Sequence, residues 1–209
     1  MGNRACLIVV ALLVASVPLP AAAQDEKVKE PATGIEFACT GQDHMALLGV
    51  GVRKKMVFNV YAGALYVDGA ALAKEVGGDG SAARVTRAVW TSGVPRIMLM
   101  HFVRDVPADK VREAFRESLS GNMTEDDYAG EKESIDEFLA GVVDVRKGDV
   151  FTFRTSGPEV VVFHGKKKIF AKSSRRLVAG MWGSWFGSKP VCPELRKNLV
   201  GRSAQVLGK

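Results

Sequence analysis

The residues best suited to chemistry in this sequence are an arginine and a tyrosine at the front of a long apolar segment. Arg53 follows a glycine-punctuated apolar run, and Tyr61 lies within eleven charge-free residues, 57–67. A guanidinium is planar and permanently charged, so it suits a carboxylate or a developing oxyanion, and a tyrosine hydroxyl adds a second donor. From spacing alone the commoner arrangement is a solvated turn at Arg53, Lys54 and Lys55 with Tyr61 in the core, because charge runs are usually exposed.

Other catalytic and cofactor motifs are absent from the sequence. It contains no GxSxG, no P-loop and no GxGxxG that opens a helix. The three histidines are scattered without CxxC or HxxxH spacing, so we expect neither a metal nor another cofactor. The basic runs at 166–168 and 175–176 lie beside apolar runs and not among exposed aromatic residues. We therefore do not expect nucleic-acid binding, despite a net charge of +6.

The first 23 residues have the pattern of a signal peptide. Arg4 is the only charged residue before Asp25, residues 6–19 are almost wholly apolar, and the alanines at 21–23 resemble a cleavage site. The apolar run is shorter than the roughly 20 residues that a membrane-spanning helix needs. The sequence therefore predicts a periplasmic or secreted protein with no stable membrane anchor after cleavage.

The length of 209 residues predicts a single domain. We expect a signal peptide over 1–23, a flexible leader over 24–33, one domain over 34–203, a tail over 204–209, and a monomer. The mature chain keeps Cys39 and Cys192. In an oxidising compartment these could form one disulfide, or they could remain separate thiols that pack as small hydrophobes. The sequence leaves both alternatives open.

Hydrophobic periodicity predicts an α+β fold with a mainly antiparallel sheet. Strands come early and late and helices fall in two blocks, which does not fit alternating βαβ units. We expect strands over 35–39, 46–52, 57–67, 84–92, 95–103, 149–155 and 159–164, with 84–92 and 95–103 joined as a hairpin at Ser92-Gly93. We expect helices over 107–119, 131–142, 173–185 and 193–201, and one or two helical turns over 70–76.

Three segments, in order, resemble the chalcone isomerase-like family, in particular its bacterial branch. Residues 47–69 (LLGVGVRKKMVFNVYAGALYVDG) are similar to the family's L-x-G-x-G-x-R turn and the F-x-V-Y-x-x-A-L-Y strand that follows it. Residues 96–115 resemble the strand-then-helix segment of the family, and residues 181–201 resemble its closing segment. The three matches are collinear and together cover essentially 34–201.

This resemblance implies an open-faced β-sandwich, in which a large antiparallel sheet is backed by a layer of helices with a mostly apolar cleft between them. Plant enzymes of the family close a phenolic chalcone to a flavanone. Other plant members bind fatty acids and hold the carboxylate with an arginine and a tyrosine, which match Arg53 and Tyr61 here. Other polar positions of the plant enzyme site fall near Pro107, Ala114 and Gly180, so those contacts are mostly missing.

Three hypotheses follow from the residues and the resemblance. The leading one is a carrier of a fatty acid or similar amphipathic carboxylate, with Arg53 and Tyr61 on the head group and Met98, Met100 and Trp182 lining the cleft. The second is an intramolecular lyase that acts on a phenolic, chalcone-like enone, with Arg53 and Tyr61 as candidate catalytic residues and Arg53 stabilising the enolate. The third is an envelope scaffold, for which we expect a closed cavity smaller than about 300 Å³.

Overall fold

The computed structural model describes residues 26–209, and its centre is a six-stranded antiparallel sheet. Two short strands at the start of the described chain pair only with each other: β1 (Lys27–Lys29) and β2 (Glu36–Ala38). The sheet contains β3 (Ala46–Lys55), β4 (Phe58–Val67), β5 (Arg96–Phe102), β6 (Val150–Ser156), β7 (Glu159–His164) and β8 (Lys167–Ser173). Its strands lie side by side in chain order, and every neighbouring pair is antiparallel. The predicted α+β class is therefore confirmed.

The helices of the described chain fall in three groups, between β4 and β5, between β5 and β6, and after β8, and not in the two blocks that the sequence predicts. They are α1 (Gly69–Val76), α2 (Ala82–Thr91), α3 (Ala108–Asn122), α4 (Glu125–Gly130), α5 (Lys132–Gly141), α6 (Arg175–Phe186), α7 (Pro193–Leu199) and α8 (Ser203–Val206). Side-chain capping fixes where several helices begin. At α6, Ser174 accepts a hydrogen bond from the backbone N–H of Leu177, one residue after the predicted helix start at 173. Pro193 occupies the first turn of α7, where its missing N–H carries no penalty.

The prediction of a strand over 84–92 is wrong, because this segment lies in α2. Ser81 caps the helix by accepting from the backbone N–H of Arg84, and Val85, Ala88 and Val89 form a buried stripe at helical spacing. The Ser92-Gly93 pair favours a hairpin between two strands, but the i, i+3, i+4 spacing of the apolar residues decides in favour of a helix. The predicted Ser92-Gly93 hairpin is consequently the junction between α2 and β5.

The two faces of the sheet are covered differently. The helices pack on one face and enclose the main core, to which Met98, Phe153 and Trp182 belong. On the other face a small cluster around Phe37 and Tyr66 lies where β1 and β2 are seated. β4 is therefore buried from Val60 to Val67, as its charge-free sequence predicts. This arrangement is the predicted open-faced β-sandwich with a helical layer.

The two cysteines are free thiols in different surroundings. Cys39 follows β2, on the side of the small cluster, and its sulfur accepts from the guanidinium of Arg202. Cys192 precedes α7 and packs against the main core on the helical face. Of the two alternatives that the sequence leaves open, the structure has two separate thiols.

The ends of the domain differ from the expected leader and tail. The predicted signal peptide lies outside the described residues. Within the expected leader, Lys27–Lys29 forms a strand, and the buried Glu30 carboxylate accepts hydrogen bonds from the backbone N–H groups of Ala32 and Thr33. The expected tail contains most of α8 (Ser203–Val206). Among residues 26–209, no helix is long and apolar enough to span a bilayer.

Candidate functional site

A β-bulge brings Arg53 and Tyr61 together on the helical face of the sheet. Arg53 pairs with Tyr61, but the next residue, Lys54, pairs with Asn59, so Val60 is the extra residue on β4. Such a bulge re-aims the side chains beside it, and here both Val60 and Tyr61 join the core under the helices. The Arg53 guanidinium carbon then lies 5.9 Å from the centre of the Tyr61 ring.

The glycines that precede Arg53 provide space for a helix. A Cβ atom on Gly49 would lie 2.2 Å from the backbone oxygen of Asn198, and one on Gly51 would lie 2.9 Å from the Asn198 Cβ. Both distances are shorter than non-bonded carbon contacts allow. Gly49 and Gly51 therefore allow α7 to pack directly on β3. Arg53, two residues after Gly51, instead lines a cavity under the helices.

An inner cavity of about 40 Å³ lies beside Arg53, between the sheet and the helices α3 and α6. That volume has room for about three water molecules, which is the size of a carboxylate group and much less than an acyl chain. Its lining is mostly apolar and includes Met100 and Phe102 from β5, Phe115 from α3 and Trp185 from α6. The polar side chains in the lining are Arg53, Tyr61, Lys110, Ser118 and Ser184.

Three polar atoms around this cavity are buried without a hydrogen-bond partner among the described residues. They are the Nε of Arg53, the Oγ of Ser118 and the Oγ of Ser184. Buried polar groups in folded proteins are nearly always paired, and an unpaired one costs about 1–3 kcal/mol. Three such atoms on one small cavity therefore point to a polar ligand group that would satisfy them together.

Tyr61 adds a neutral donor to this set. Its hydroxyl oxygen accepts a hydrogen bond from the indole Nε1 of Trp185 at 2.9 Å, so its own hydrogen remains free to donate. Burial raises the pKa of Tyr61 above its usual value of 10, and the nearby Arg53 charge and the Trp185 hydrogen bond offset this only in part. The phenol is therefore protonated at neutral pH and acts as a donor, not as a base.

The inner cavity continues outward between β4 and α3. Two outer hollows, of about 260 and 340 Å³, share Arg53, Lys110 and Ala114 with its lining. The first, the outer groove, is largely apolar and includes Val60, Val106 and Pro107. The second has charged walls, where the Lys110 ammonium pairs with the Glu113 carboxylate at 2.9 Å. The inner cavity is smaller than the limit of about 300 Å³ that the scaffold hypothesis sets. It is not closed, however, because it opens outward through these hollows.

The sequence and the fold of this chain are similar to those of known proteins. The model of the chalcone isomerase-like family matches residues 35–201, which is most of the chain. The protein belongs to the chalcone isomerase-like family. The crystal structure of a fatty-acid binding protein from Arabidopsis thaliana is similar over 88% of this chain and 100% of that chain, with a TM-score of 0.75 and 19% sequence identity. At that identity the similarity establishes the shared fold. No curated protein sequence is significantly similar to the chain.

Not all of the predicted site residues of this chalcone isomerase-like protein reach the cavity. Arg53, Tyr61 and Met100 line it. Met98 is fully buried in the core beyond it. Trp182 lies elsewhere in the core: its ring covers the buried guanidinium of Arg96, with the guanidinium carbon 4.6 Å from the ring centre.

Lys110, Ser118 and Ser184 are polar residues of the cavity lining that the sequence analysis does not predict. Ser118 lies in the buried stripe of α3 with Val111 and Phe115, and a hydroxyl within an apolar stripe is a detectable signal. Ser184 precedes Trp185 in α6, and nothing in the sequence distinguishes it from a small core residue.

The three positions that match other polar groups of the plant enzyme site lie at different distances from the inner cavity. Ala114 lines the inner cavity and both outer hollows. Pro107 lies farther out, in the outer groove. Gly180 is away from the cavity, because a Cβ there would meet the sulfur of Met123 at 2.5 Å. The serine hydroxyls in the lining of the inner cavity come from other positions, Ser118 and Ser184.

Proposed function

We propose that this chalcone isomerase-like protein binds a fatty acid or a similar amphipathic carboxylate in the cleft between sheet and helices. The observation that carries the proposal is the set of unpaired buried atoms at Arg53, Ser118 and Ser184. A carboxylate accepts about four hydrogen bonds, so one head group satisfies all three and leaves an acceptor for the Tyr61 hydroxyl. The guanidinium supplies the opposite charge.

The sizes of the cavity and the outer groove indicate how such a ligand lies. The inner cavity suits the carboxylate group and excludes a long chain. The outer groove is largely apolar, with Val60, Val106 and Ala114 in its walls and charged side chains such as Lys55 and Arg104 at its lining, and its volume is about 260 Å³. The proposed ligand therefore points its head group inward and lays its acyl chain along the groove. A fatty-acid binding protein with the same fold supports this class of ligand.

Calorimetric titration with dodecanoate and with dodecanol tests this proposal. The two compounds share the chain and differ in the head group, so we expect binding of dodecanoate and at least tenfold weaker binding of dodecanol, because only the carboxylate pairs with Arg53. Native mass spectrometry of the purified protein, with organic extraction, would identify a ligand that co-purifies. Equal affinity for both compounds, or no affinity for either, would overturn the proposal.

A second candidate function is an intramolecular lyase, and the same convergence of donors favours it. In that reaction a phenolate oxygen adds to the enone of a chalcone-like substrate, and the negative charge moves to the carbonyl oxygen of the resulting enolate. Arg53, Ser118 and Tyr61 would donate to that oxygen, which is the arrangement that stabilises developing charge. Spectrophotometric assays with several hydroxychalcones test it, and a rate no faster than in buffer excludes it.

We further propose that the protein acts outside the cytoplasm. The support is the sequence of residues 1–23, with its single early charge and its apolar run before three alanines. Cell fractionation with N-terminal mass analysis of the mature protein tests this. A mature chain that begins near Gln24 in the envelope fraction supports export, and an unprocessed chain in the cytoplasm contradicts it.

A further inference from the structure

Three consecutive apolar residues at the β3–β4 turn are exposed to solvent. Met56 is 88% exposed, Val57 is 83% exposed and Phe58 is 55% exposed; we call these three residues the hairpin tip. Met56 also has a φ of 55°, in the left-handed region that favours glycine or asparagine. The conformation of the turn therefore does not require these side chains, and no other part of the described chain buries them.

Cations surround the hairpin tip. Lys54 and Lys55 precede it on β3 and are exposed, and the guanidinium carbon of Arg104 lies 4.7 Å from the centre of the Phe58 ring. None of these three cations forms an ion pair within residues 26–209. The neighbouring Asp105 carboxylate is 3.6 Å from the Arg146 guanidinium instead. Glu113 and Glu117 line one outer hollow together with Lys54 and Lys55, but they form no ion pair with them. The tip thus combines projecting apolar side chains with cations that no carboxylate pairs directly within residues 26–209.

We propose that the hairpin tip docks on the surface of an anionic lipid bilayer. Apolar side chains of this kind enter the boundary between head groups and acyl chains, and lysine and arginine beside them are attracted to the lipid phosphates. The tip adjoins the outer groove, whose lining includes Met56 and Phe58. Docking would therefore bring the mouth of the cleft to the bilayer, where amphipathic ligands partition. This inference goes beyond the proposed function and does not depend on it.

Vesicle co-sedimentation at low and high salt tests the docking surface. The probes are vesicles of phosphatidylcholine with about one third phosphatidylglycerol, and vesicles of phosphatidylcholine alone, both without free fatty acid. We expect binding to the anionic vesicles that weakens with salt. The double variant Met56→Gly with Val57→Ser should bind at least tenfold more weakly, because two inserting side chains are lost. Glycine suits the positive φ at position 56, so we expect this variant to fold.

Charge reversal tests the electrostatic part. The double variant Lys54→Glu with Lys55→Glu should lose at least tenfold in binding to anionic vesicles, and the loss should shrink in high salt. The matched controls are Val143→Ser, at another exposed apolar residue, and Lys74→Glu, on α1. Both controls should bind as the wild type does.

Several outcomes would overturn the proposal. Absence of wild-type binding to anionic vesicles is one, and equal binding by the tip variants and the wild type is another. A third is self-association through the tip in sedimentation equilibrium without binding to vesicles, which would identify the tip as a protein contact. Because the vesicles lack fatty acid, none of these results depends on whether the cleft binds a carboxylate.

Discussion

The guanidinium of Arg53 faces the ring of Tyr61 across the β3–β4 pair, with 5.9 Å between the guanidinium carbon and the ring centre. This distance is near the outer limit of a cation–π contact, so the ring attracts the cation only weakly. The Arg53 side chain forms no ion pair or hydrogen bond with any residue in 26–209, and its Nε is buried and unpaired. The strand pairing therefore fixes the backbone that carries Arg53, and the guanidinium donors have no partners among the described residues.

Replacement of Arg53 by alanine should abolish carboxylate binding and leave stability nearly unchanged. The substitution removes the opposite charge from the cavity, and a charge-assisted hydrogen bond contributes about 1.5–3 kcal/mol, so we expect dodecanoate to bind at least tenfold more weakly. No hydrogen bond among the described residues is lost, so the free energy of unfolding should change by less than about 1 kcal/mol. Calorimetric titration and urea denaturation measure the two quantities.

Arg116→Ala is the matched control for that variant, because Arg116 is exposed on α3 and lines none of the three hollows. It removes the same charge without touching the site and should bind dodecanoate as the wild type does. If Arg53→Ala instead unfolds the protein and no carboxylate raises the melting temperature of the wild type, then Arg53 is a structural residue.

Tyr61→Phe should both destabilise the protein and weaken ligand binding. The phenylalanine leaves the buried indole N–H of Trp185 without its acceptor, which costs about 1–3 kcal/mol. It also removes one donor from the proposed carboxylate site. Chemical denaturation followed by tryptophan fluorescence measures the stability. An unchanged free energy of unfolding would contradict this prediction. It would mean that the Trp185 indole finds another acceptor and that the Tyr61 hydroxyl is not needed for stability.

The sequence predicts part of this site well, for physical reasons. From spacing alone we expect Arg53 in a solvated turn and Tyr61 in the core, and it is the resemblance to a family that predicts the two side chains as a pair at the cleft; both line the inner cavity. Met98 and Trp182 were expected in the cleft, but they lie deeper in the core. Two-residue periodicity places Met98 and Met100 on one face without showing where along that face the cavity lies.

Other features depend on long-range packing and could not be predicted. The bulge at Val60 sets the direction of Tyr61, and it arises from the pairing register of two strands. The strand predicted over 84–92, which rests on a hairpin signal at Ser92-Gly93, is wrong. In short segments helix and strand are hard to distinguish, and here the capping Ser81 and the spacing of Val85, Ala88 and Val89 are the decisive signals for a helix.

Gly49→Ala should be strongly destabilising. The added methyl group would lie 2.2 Å from the backbone oxygen of Asn198, and a backbone atom cannot rotate away. Because α7 must move off β3, we expect a loss of about 3 kcal/mol or more in the free energy of unfolding. Gly63→Ala is the control: its nearest contact would be 3.4 Å, to a Leu195 methyl group. Equal effects in urea denaturation would contradict this account of the glycine motif.

Stability should fall between pH 10 and about 12, in part because of Tyr66. Burial, followed by the neighbouring Cys39, raises the pKa of Tyr66 to about 12, from 10. In this range the unfolded chain releases the phenol proton and the folded chain retains it, so rising pH favours unfolding. Tyr66→Phe has no such proton, and its free energy of unfolding should decline less steeply from pH 9 to 11. Parallel declines in the two proteins would contradict the prediction.

Removal of the cavity hydroxyls should change stability and affinity in opposite directions. The Oγ atoms of Ser118 and Ser184 are buried without partners among the described residues, so Ser118→Ala and Ser184→Ala remove an unfavourable feature of the ligand-free protein. We expect each variant to be as stable as the wild type, or up to about 1 kcal/mol more stable, and to bind dodecanoate about 3- to 10-fold more weakly.

Ser203→Ala is the contrasting control for these two variants, because the buried Ser203 hydroxyl donates to the backbone oxygen of Val200. Its loss should lower the free energy of unfolding by about 1 kcal/mol and leave affinity unchanged. Thermal denaturation and calorimetric titration of all three variants separate the two effects. If Ser118→Ala and Ser184→Ala lower stability as Ser203→Ala does, and affinity does not change, then the serines belong to the core and the head-group site must be sought elsewhere along the cleft.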